Sequence, residues 1–282
     1  MRLGEKYKYP MTWEQAVLWL REQPGKEQLV RDCYFDDPLI EAARRYYNEA
    51  EWRCVRSLLP KPPGEALDVG AGRGISSYSL ALDGWSVTAL EPDPSPLVGA
   101  EAIRSLARES WLNIEVIQQW GEELPFADNR FDIIHARQVL HHAVDLSTLC
   151  KELYRVLRPG GVLVATRDHV INRQDDLPIF LASHPLQHLY GGENAYTVRE
   201  YMTALTGAGF ILNNILSPYE TPINYFPATE KSIHKAVGRI FFGRLWLLDI
   251  PLPRRIVNCV SKKLKTPGRL YSFVGEKSGK PI

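Results

Sequence analysis

The run Ala66-Leu67-Asp68-Val69-Gly70-Ala71-Gly72-Arg73-Gly74 constrains this 282-residue chain more than any other part of it. A short apolar stretch carries an acid near its end, and three glycines follow at alternate positions. Ile75, Tyr78, Leu80 and Leu82 then mark an amphipathic helix, and Val87-Thr88-Ala89-Leu90 reads as a second strand ending on Glu91. Strand, tight turn, helix and strand form the repeating unit of a parallel sheet. Glycine lets the backbone turn sharply and approach a bound molecule closely. An acid closing the second strand offers two acceptor oxygens, which suit the two hydroxyl donors of a ribose. The pattern predicts a nucleoside-containing cofactor.

Spacing narrows the choice of cofactor. Nicotinamide and flavin enzymes use G-x-G-x-x-G, whereas Gly70, Gly72 and Gly74 give G-x-G-x-G. Asp68 also stands where dinucleotide folds keep an apolar residue; it would repel a pyrophosphate but not an amino group or a sulfonium. Further motifs follow in order: Gly121-Glu122-Glu123-Leu124-Pro125-Phe126, Phe131-Asp132-Ile133-Ile134-His135, Val139-Leu140-His141-His142, and Leu157-Arg158-Pro159-Gly160-Gly161-Val162-Leu163-Val164. With these residues the chain resembles the class I S-adenosylmethionine-dependent methyltransferases over roughly residues 64–216, with a last strand near 270–274. The resemblance implies an α/β fold with a Rossmann-like, seven-stranded, mostly parallel sheet, helices on both faces and the last strand antiparallel. N-terminal helices and a helical insertion before the last strand are added to it.

S-adenosyl-L-methionine is the cofactor the resemblance implies. Gly70, Ala71, Gly72 and Gly74 are expected to bring backbone against it, Asp68 to reach its amino group, and Glu91 with Pro92 to meet the ribose. The alternative for Asp68 is a carboxylate that caps local backbone amides. Gly121 and Glu122 are matched to the adenine loop, and Trp120 replaces the polar residue common before it. An indole can stack on adenine or serve as a core aromatic, but cannot accept a hydrogen bond from the exocyclic amine. Arg137 falls where backbone groups after the fourth strand meet the methionine portion.

Alternating strands are expected near residues 66–69, 86–90, 114–117, 131–135, 161–166, 210–216 and 270–275. Before them, Thr12 and Gln15 read as a capping box, and a helix is predicted from Asp37-Pro38 to Leu59-Pro60. The linker Pro60-Lys61-Pro62-Pro63-Gly64 divides a 1–63 helical cap from a 64–282 methyltransferase domain that includes a basic amphipathic insertion at 217–269. The cap either lies over the cofactor or packs on the sheet. Cys33, Cys54, Cys150 and Cys259 form no C-x-x-C pair, which argues against a zinc module and fits a reducing compartment. Neither a signal peptide nor a membrane-spanning run is visible, so a cytoplasmic protein is expected.

Methyl transfer needs an aligned acceptor, exclusion of water and, for many acceptors, loss of a proton. In open parallel sheets the ligand lies beyond the carboxyl ends of the strands. His141 and His142 are therefore candidate bases, with helix packing or support of the cofactor as the alternative. Asp168 and His169 are further catalytic candidates, and Arg167 a substrate contact; all three read as a loop just past the fifth strand. The polar and aromatic segment 183–196 offers His184, His188, Tyr190 and Tyr196 as substrate contacts, ahead of a helix capped by Thr197 and Glu200. His184 and His188 could hold a metal together with Asp168 or Glu193, but the pair is interrupted by Pro185 and no metal is expected.

Residues 229–269 hold ten Lys or Arg against Glu230 and Asp249, a net of plus eight, which leaves minus seven on the rest of a chain of net charge plus one. Interleaved aromatic and aliphatic residues make this run fit for an anionic membrane surface, a hydrophobic substrate pocket or partner, or a cap packed on the protein itself. The apolar character argues against nucleic acid. The expected function is methylation of a small organic acceptor, on oxygen, with a sugar, lipid-linked or natural-product intermediate in view. Methylation of RNA or protein, and a non-catalytic cofactor-binding or membrane-peripheral module, are the alternatives.

Overall fold

The computed structural model describes residues 9–242, 255–256, 259 and 266–279. Its strands are β1 (Glu65–Val69), β2 (Ser86–Leu90), β3 (Ile114–Ile117), β4 (Phe131–Arg137), β5 (Leu157–Ile171), β6 (Tyr196–Thr197), β7 (Ile211–Leu216) and β8 (Arg269–Glu276). They form one sheet in the order β3-β2-β1-β4-β5-β8-β7, with the two-residue β6 added on β5. β1 to β5 pair in parallel, and β8 runs antiparallel to β5 and β7. This is the Rossmann-like sheet expected, with one short strand more.

Alternation along the strands sorts side chains onto two faces. Ala66, Val87, Ala89 and Ile133 join helices Leu39–Asn48, Ile75–Leu82 and Ala100–Ser110 in one core. Leu67, Val69, Leu90 and Ile134 join helices Leu146–Val156 and Val198–Ala208 in the other. Asp68 shares the face of Ala66, and His135 and Arg137 share that of Ile133. The sequence period alone thus sends these three polar side chains toward the N-terminal helices.

Thr12 and Gln15 form the expected capping box on helix Trp13–Glu22. The single helix expected over 37–59 is instead two, Leu39–Asn48 and Ala50–Arg56, separated by extended backbone at Glu49 (φ −78°, ψ 161°). A continuous helix would carry the buried stripe of Ala42, Ala43 and Tyr46 on to positions 49, 50 and 53. The break re-phases the chain, so that Glu51, Trp52 and Val55 are buried and Arg53 stays out.

β5 runs five residues past its expected end because β8 pairs along it as far as Val170↔Arg269. A register shift between Ala165 and Asp168, with Arg167 in the left-handed region (φ 61°), puts a bulge there. Arg167, Asp168 and His169 are therefore strand residues and not the loop expected. Their pairing partner lies about a hundred residues away in sequence, beyond the reach of any local pattern.

Candidate active site

The glycine loop closes on itself before it meets anything else. Ala71 N–H donates to the carbonyl of Leu90 at 3.0 Å, and Gly74 N–H to that of Ala71 at 2.8 Å. Gly70, Gly72 and Gly74 all have positive φ, near 59°, 54° and 82°. A Cβ on Gly70 would lie 2.7 Å from Val139 Cγ2, and one on Gly74 3.1 Å from Ile103, so both let elements pack closely. A Cβ on Gly72 would meet no protein atom within 4 Å. Gly72 thus faces open space at the carboxyl end of β1, where a cofactor of the expected kind fits. Arg73, between the last two glycines, turns away and donates to the carbonyls of Tyr34, Asp36 and Leu97.

Glu91 stands across this opening. Its Oε2 accepts from Gly72 N–H at 2.7 Å and its Oε1 from Asp93 N–H at 3.0 Å. Burial pushes its carboxyl up to about 7, against the pull of those two donors. Asp68 is held more tightly: Ser77 Oγ donates to Oδ2 at 2.6 Å, and His135 Nδ1 lies 3.0 Å from Oδ1. The capping of local amides considered for Asp68 is replaced by side-chain partners, and these leave lone pairs for a ligand amine directly or through water. Neither Ser77 nor His135 stood out in the sequence, although their registers put them on the face of Asp68.

In the adenine loop, a Cβ on Gly121 would lie 2.7 Å from Leu149 Cδ1. Glu122 Oε1 accepts from Val144 N–H at 3.0 Å, joining the loop to the turn after β4. Trp120 is 52% exposed, which excludes the core-aromatic reading and leaves its ring available from solvent. Pro92 follows Glu91 at the end of β2, half-buried.

Arg137 is not free to meet a ligand with its guanidinium. Nε and Nη2 reach the two oxygens of Glu51 at 2.6 and 3.2 Å, and Nη1 donates to Gln138. Arg167 Nη1 lies 3.5 Å from the same carboxylate and donates to the carbonyls of Ile223 and Phe226. Glu51 is fully buried. Burial alone would raise its carboxyl, but Arg137 and Arg167 together hold it below the usual range. Burial lowers Arg167, and its Nε has no hydrogen-bond partner. The Arg137 guanidinium also lies over the rings of Tyr34 and Tyr46. Glu51 was missed in the sequence; the available signal was an acid flanking Trp52 on an otherwise apolar helix face.

A second cluster forms between the turn after β4 and the carboxyl-terminal part of β5. His141, in the short turn Leu140–His142, places Nδ1 at 2.9 Å from Asp168 Oδ1, which also accepts the His141 backbone N–H. Burial pushes the Asp168 carboxyl up to about 8, lowers His141 well below its usual value and brings His169 down to about 4. The His141 ring packs against those of His142 and His169. From the segment after β5 come Glu193, 3.7 Å from His141 Nε2, and His184, 3.6 Å from the other Glu193 oxygen. The Tyr190 hydroxyl donates to Glu193, and that of Tyr196 to the carbonyl of Ala143. His188 does not join them: its helical turn buries Gln187, Leu189 and Tyr190 and leaves His188 exposed beside Trp19.

The molecule is similar to known proteins along the same lines. Residues 67–165 match a family model described as a methyltransferase domain. A ubiquinone biosynthesis O-methyltransferase of Azorhizobium caulinodans is 26% identical over 200 residues, which cover 65% of this chain and 78% of that protein. Its counterpart in Methylobacterium nodulans is 28% identical over 197 residues, covering 64% and 78%. Among solved structures, geranyl diphosphate C-methyltransferase from Streptomyces coelicolor A3(2) superimposes with a TM-score of 0.58 over 95% of this chain and 89% of that one, at 14% identity. The [4+2]-cyclase SpnF gives 0.57 over 85% and 82%, at 20% identity.

Sheet order, glycine loop and acid at the end of β2 define a Rossmann-like domain built to bind a nucleoside cofactor. The chain carries a methyltransferase domain and is an S-adenosylmethionine-dependent methyltransferase. No helix among the described residues is long and apolar enough to cross a membrane. Of the basic segment, helices Pro222–Tyr225 and Glu230–Phe242 are described. The rest of the membrane, pocket or partner surface expected at 229–269 falls largely outside the described residues.

Proposed function

We propose that this methyltransferase methylates an oxygen of a small organic acceptor at the cluster formed by His141, Asp168, His169 and Glu193. The acceptor oxygen forms the new bond to carbon, the carbon–sulfur bond breaks with its electrons going to sulfur, and the acceptor's hydroxyl proton is lost at the cluster. The carrying observation is the pair His141–Asp168, at 2.9 Å and buried between the turn after β4 and the carboxyl-terminal part of β5. An imidazole oriented by a carboxylate has one nitrogen left facing the acceptor site, free to act there directly or through a bound group. The relatives' names as O-methyltransferases support oxygen as the acceptor atom.

In this reading Gly70, Ala71, Gly72, Gly74, Asp68 and Glu91 hold the methionine and ribose portions, and Trp120, Gly121 and Glu122 flank the adenine. His184, Tyr190 and Tyr196 wall the acceptor site, and their polar atoms suit a hydroxylated compound such as a sugar, lipid-linked or natural-product intermediate. Residues 1–63 act as the cap, supported by the hydrogen bonds from Arg73 to Tyr34 and Asp36 and by the Glu51–Arg137 pair.

The test supplies S-adenosylmethionine with a panel of catechols, hydroxybenzoates and free sugars and identifies the methylated atom by mass spectrometry. O-methyl products, with turnover lost in His141→Ala while S-adenosylhomocysteine binding stays within about threefold of wild type, are expected. Methylation confined to nitrogen, sulfur or carbon, or wild-type turnover by His141→Ala, overturns the proposal.

A further inference from the structure

The hydrogen bonds around His141 and His169 leave the same nitrogen of each ring unused. His169 Nδ1 lies 2.8 Å from the carbonyl oxygen of Gly268. A carbonyl only accepts, so Nδ1 carries the proton. His141 Nδ1 faces Asp168 Oδ1 in the same sense. His141 is buried and His169 half-buried. With Nδ1 engaged in this way, each ring turns its Nε2 to a further partner.

Glu193 faces these nitrogens. Its Oε2 is buried, has no hydrogen-bond partner and stands 3.7 Å from His141 Nε2; the Glu193 side chain is 6% exposed. A buried carboxyl oxygen without a partner is costly, and a cation between it and the imidazole nitrogen would satisfy both. One donor atom from each of His141, His169 and Glu193 lies within 4.8 Å of the others. Donors on a tetrahedral cation bound at about 2.0–2.1 Å stand about 3.3 Å apart, so small side-chain adjustments close the set. The outer partners also fit: a ligating histidine commonly passes its second N–H to a carboxylate or a backbone carbonyl. Here Asp168 and Gly268 fill those two roles.

We propose that His141 Nε2, His169 Nε2 and a Glu193 oxygen bind a divalent first-row transition cation of the zinc or manganese type. Two imidazole nitrogens favour such a cation over magnesium or calcium, which take oxygen ligands. Three protein ligands leave at least one position open. This deepens the proposed function, and rests on it only for what fills that position, an oxygen of the acceptor. It departs from the expectation of no metal: the two ligating histidines come from separate strand ends, while His188 of the interrupted pair takes no part.

The full chain, stripped with a chelator, is titrated separately with Zn2+, Mn2+ and Mg2+ by calorimetry, and metal content is read by mass spectrometry after dialysis. One equivalent of Zn2+ or Mn2+ per chain, with Mg2+ at least about 100-fold weaker, is expected. His169→Ala and Glu193→Gln should weaken Zn2+ or Mn2+ at least about 100-fold, while His234→Ala, outside the cluster, leaves it unchanged. Cobalt substitution of the wild-type chain, with nitrogen hyperfine coupling to two imidazoles, tests the ligands without relying on any variant folding. No stoichiometric uptake, binding unchanged in both ligand variants, or no imidazole coupling overturns the site. S-adenosylhomocysteine binding and O-methyl transfer measured on the same stripped protein separate this from the parent proposal: O-methyl products formed at full rate without metal sink the cation and leave the O-methyl reading standing.

Discussion

Glu51→Ala is expected to destabilise the molecule by about 3–5 kcal/mol, the range for removing one partner of a buried ion pair. The wild-type group holds two guanidiniums around one carboxylate, with contacts at 2.6, 3.2 and 3.5 Å. Glu51 is fully buried, and the Arg137 and Arg167 side chains are 14% and 10% exposed. The substitution changes the local charge from plus one to plus two and leaves Nε of Arg137 unpaired in a space that water enters poorly. For a chain of this size such a loss lowers the melting temperature by roughly 10 °C. Glu51→Gln keeps the volume and removes the charge, so it separates the ionic part from the cavity part.

The pH dependence has a definite sign. A carboxyl lowered in the folded state stabilises above its unfolded pKa of about 4.3, and that contribution is lost as pH falls through the folded value. The measurement is urea unfolding of wild type, Glu51→Ala and Glu51→Gln at neutral pH and down to about pH 3. The gap between wild type and Glu51→Gln should shrink below about pH 4. A loss under about 1 kcal/mol for both variants, or a gap that does not change with acid, refutes the ionic account.

Gly72→Ala should weaken S-adenosylhomocysteine at least about tenfold for about 1–2 kcal/mol of stability, since its strain is backbone strain facing open space. Gly70→Ala adds a contact at 2.7 Å with Val139 and should cost more stability; equal losses in calorimetry and melting would contradict the division of roles. Burial raises the Glu91 carboxyl to about 7, so its contribution favours folding at acid pH and is lost as pH rises toward that value. Wild type should therefore lose stability relative to Glu91→Gln between about pH 5 and about pH 7.5 in paired urea titrations, and a constant difference would count against it. Asp168→Asn relieves a buried carboxyl pushed up to about 8 and should stay folded at pH 8 with turnover down about 10–100-fold; unchanged turnover excludes an orienting role for Asp168.

The glycine loop and the acid proposed to hold the cofactor were legible in the sequence because their signals are local. Three glycines with positive φ, a strand on either side and an acid nineteen residues after Gly72 all fall in one short stretch. The two capping boxes were legible for the same reason, each needing four residues. What escaped depends on pairing across long separations. Glu51 meets Arg137 across 86 residues, and His169 meets Gly268 across 99. Arg167, Asp168 and His169 looked like a loop because the strand that extends β5 lies near the end of the chain.

That extension also explains why the proposed acceptor half carries strongly perturbed groups. A loop would have left Asp168 in water, at an ordinary carboxylate value. Pairing with β8 instead buries it opposite Tyr271, directly after the bulge that absorbs the register shift. The bulge costs some regularity in the ladder, and it re-aims side chains at a strand end. Arg167 is thereby carried toward Glu51 and the N-terminal helices, while Asp168 is carried toward His141. One irregularity in β5 thus feeds two polar clusters on opposite sides of the strand: one anchors the N-terminal helices, and the other holds the His141–Asp168 pair of the proposed acceptor site. Straightening β5 would move both together, which ties the position of the N-terminal helices to the geometry of the chemistry.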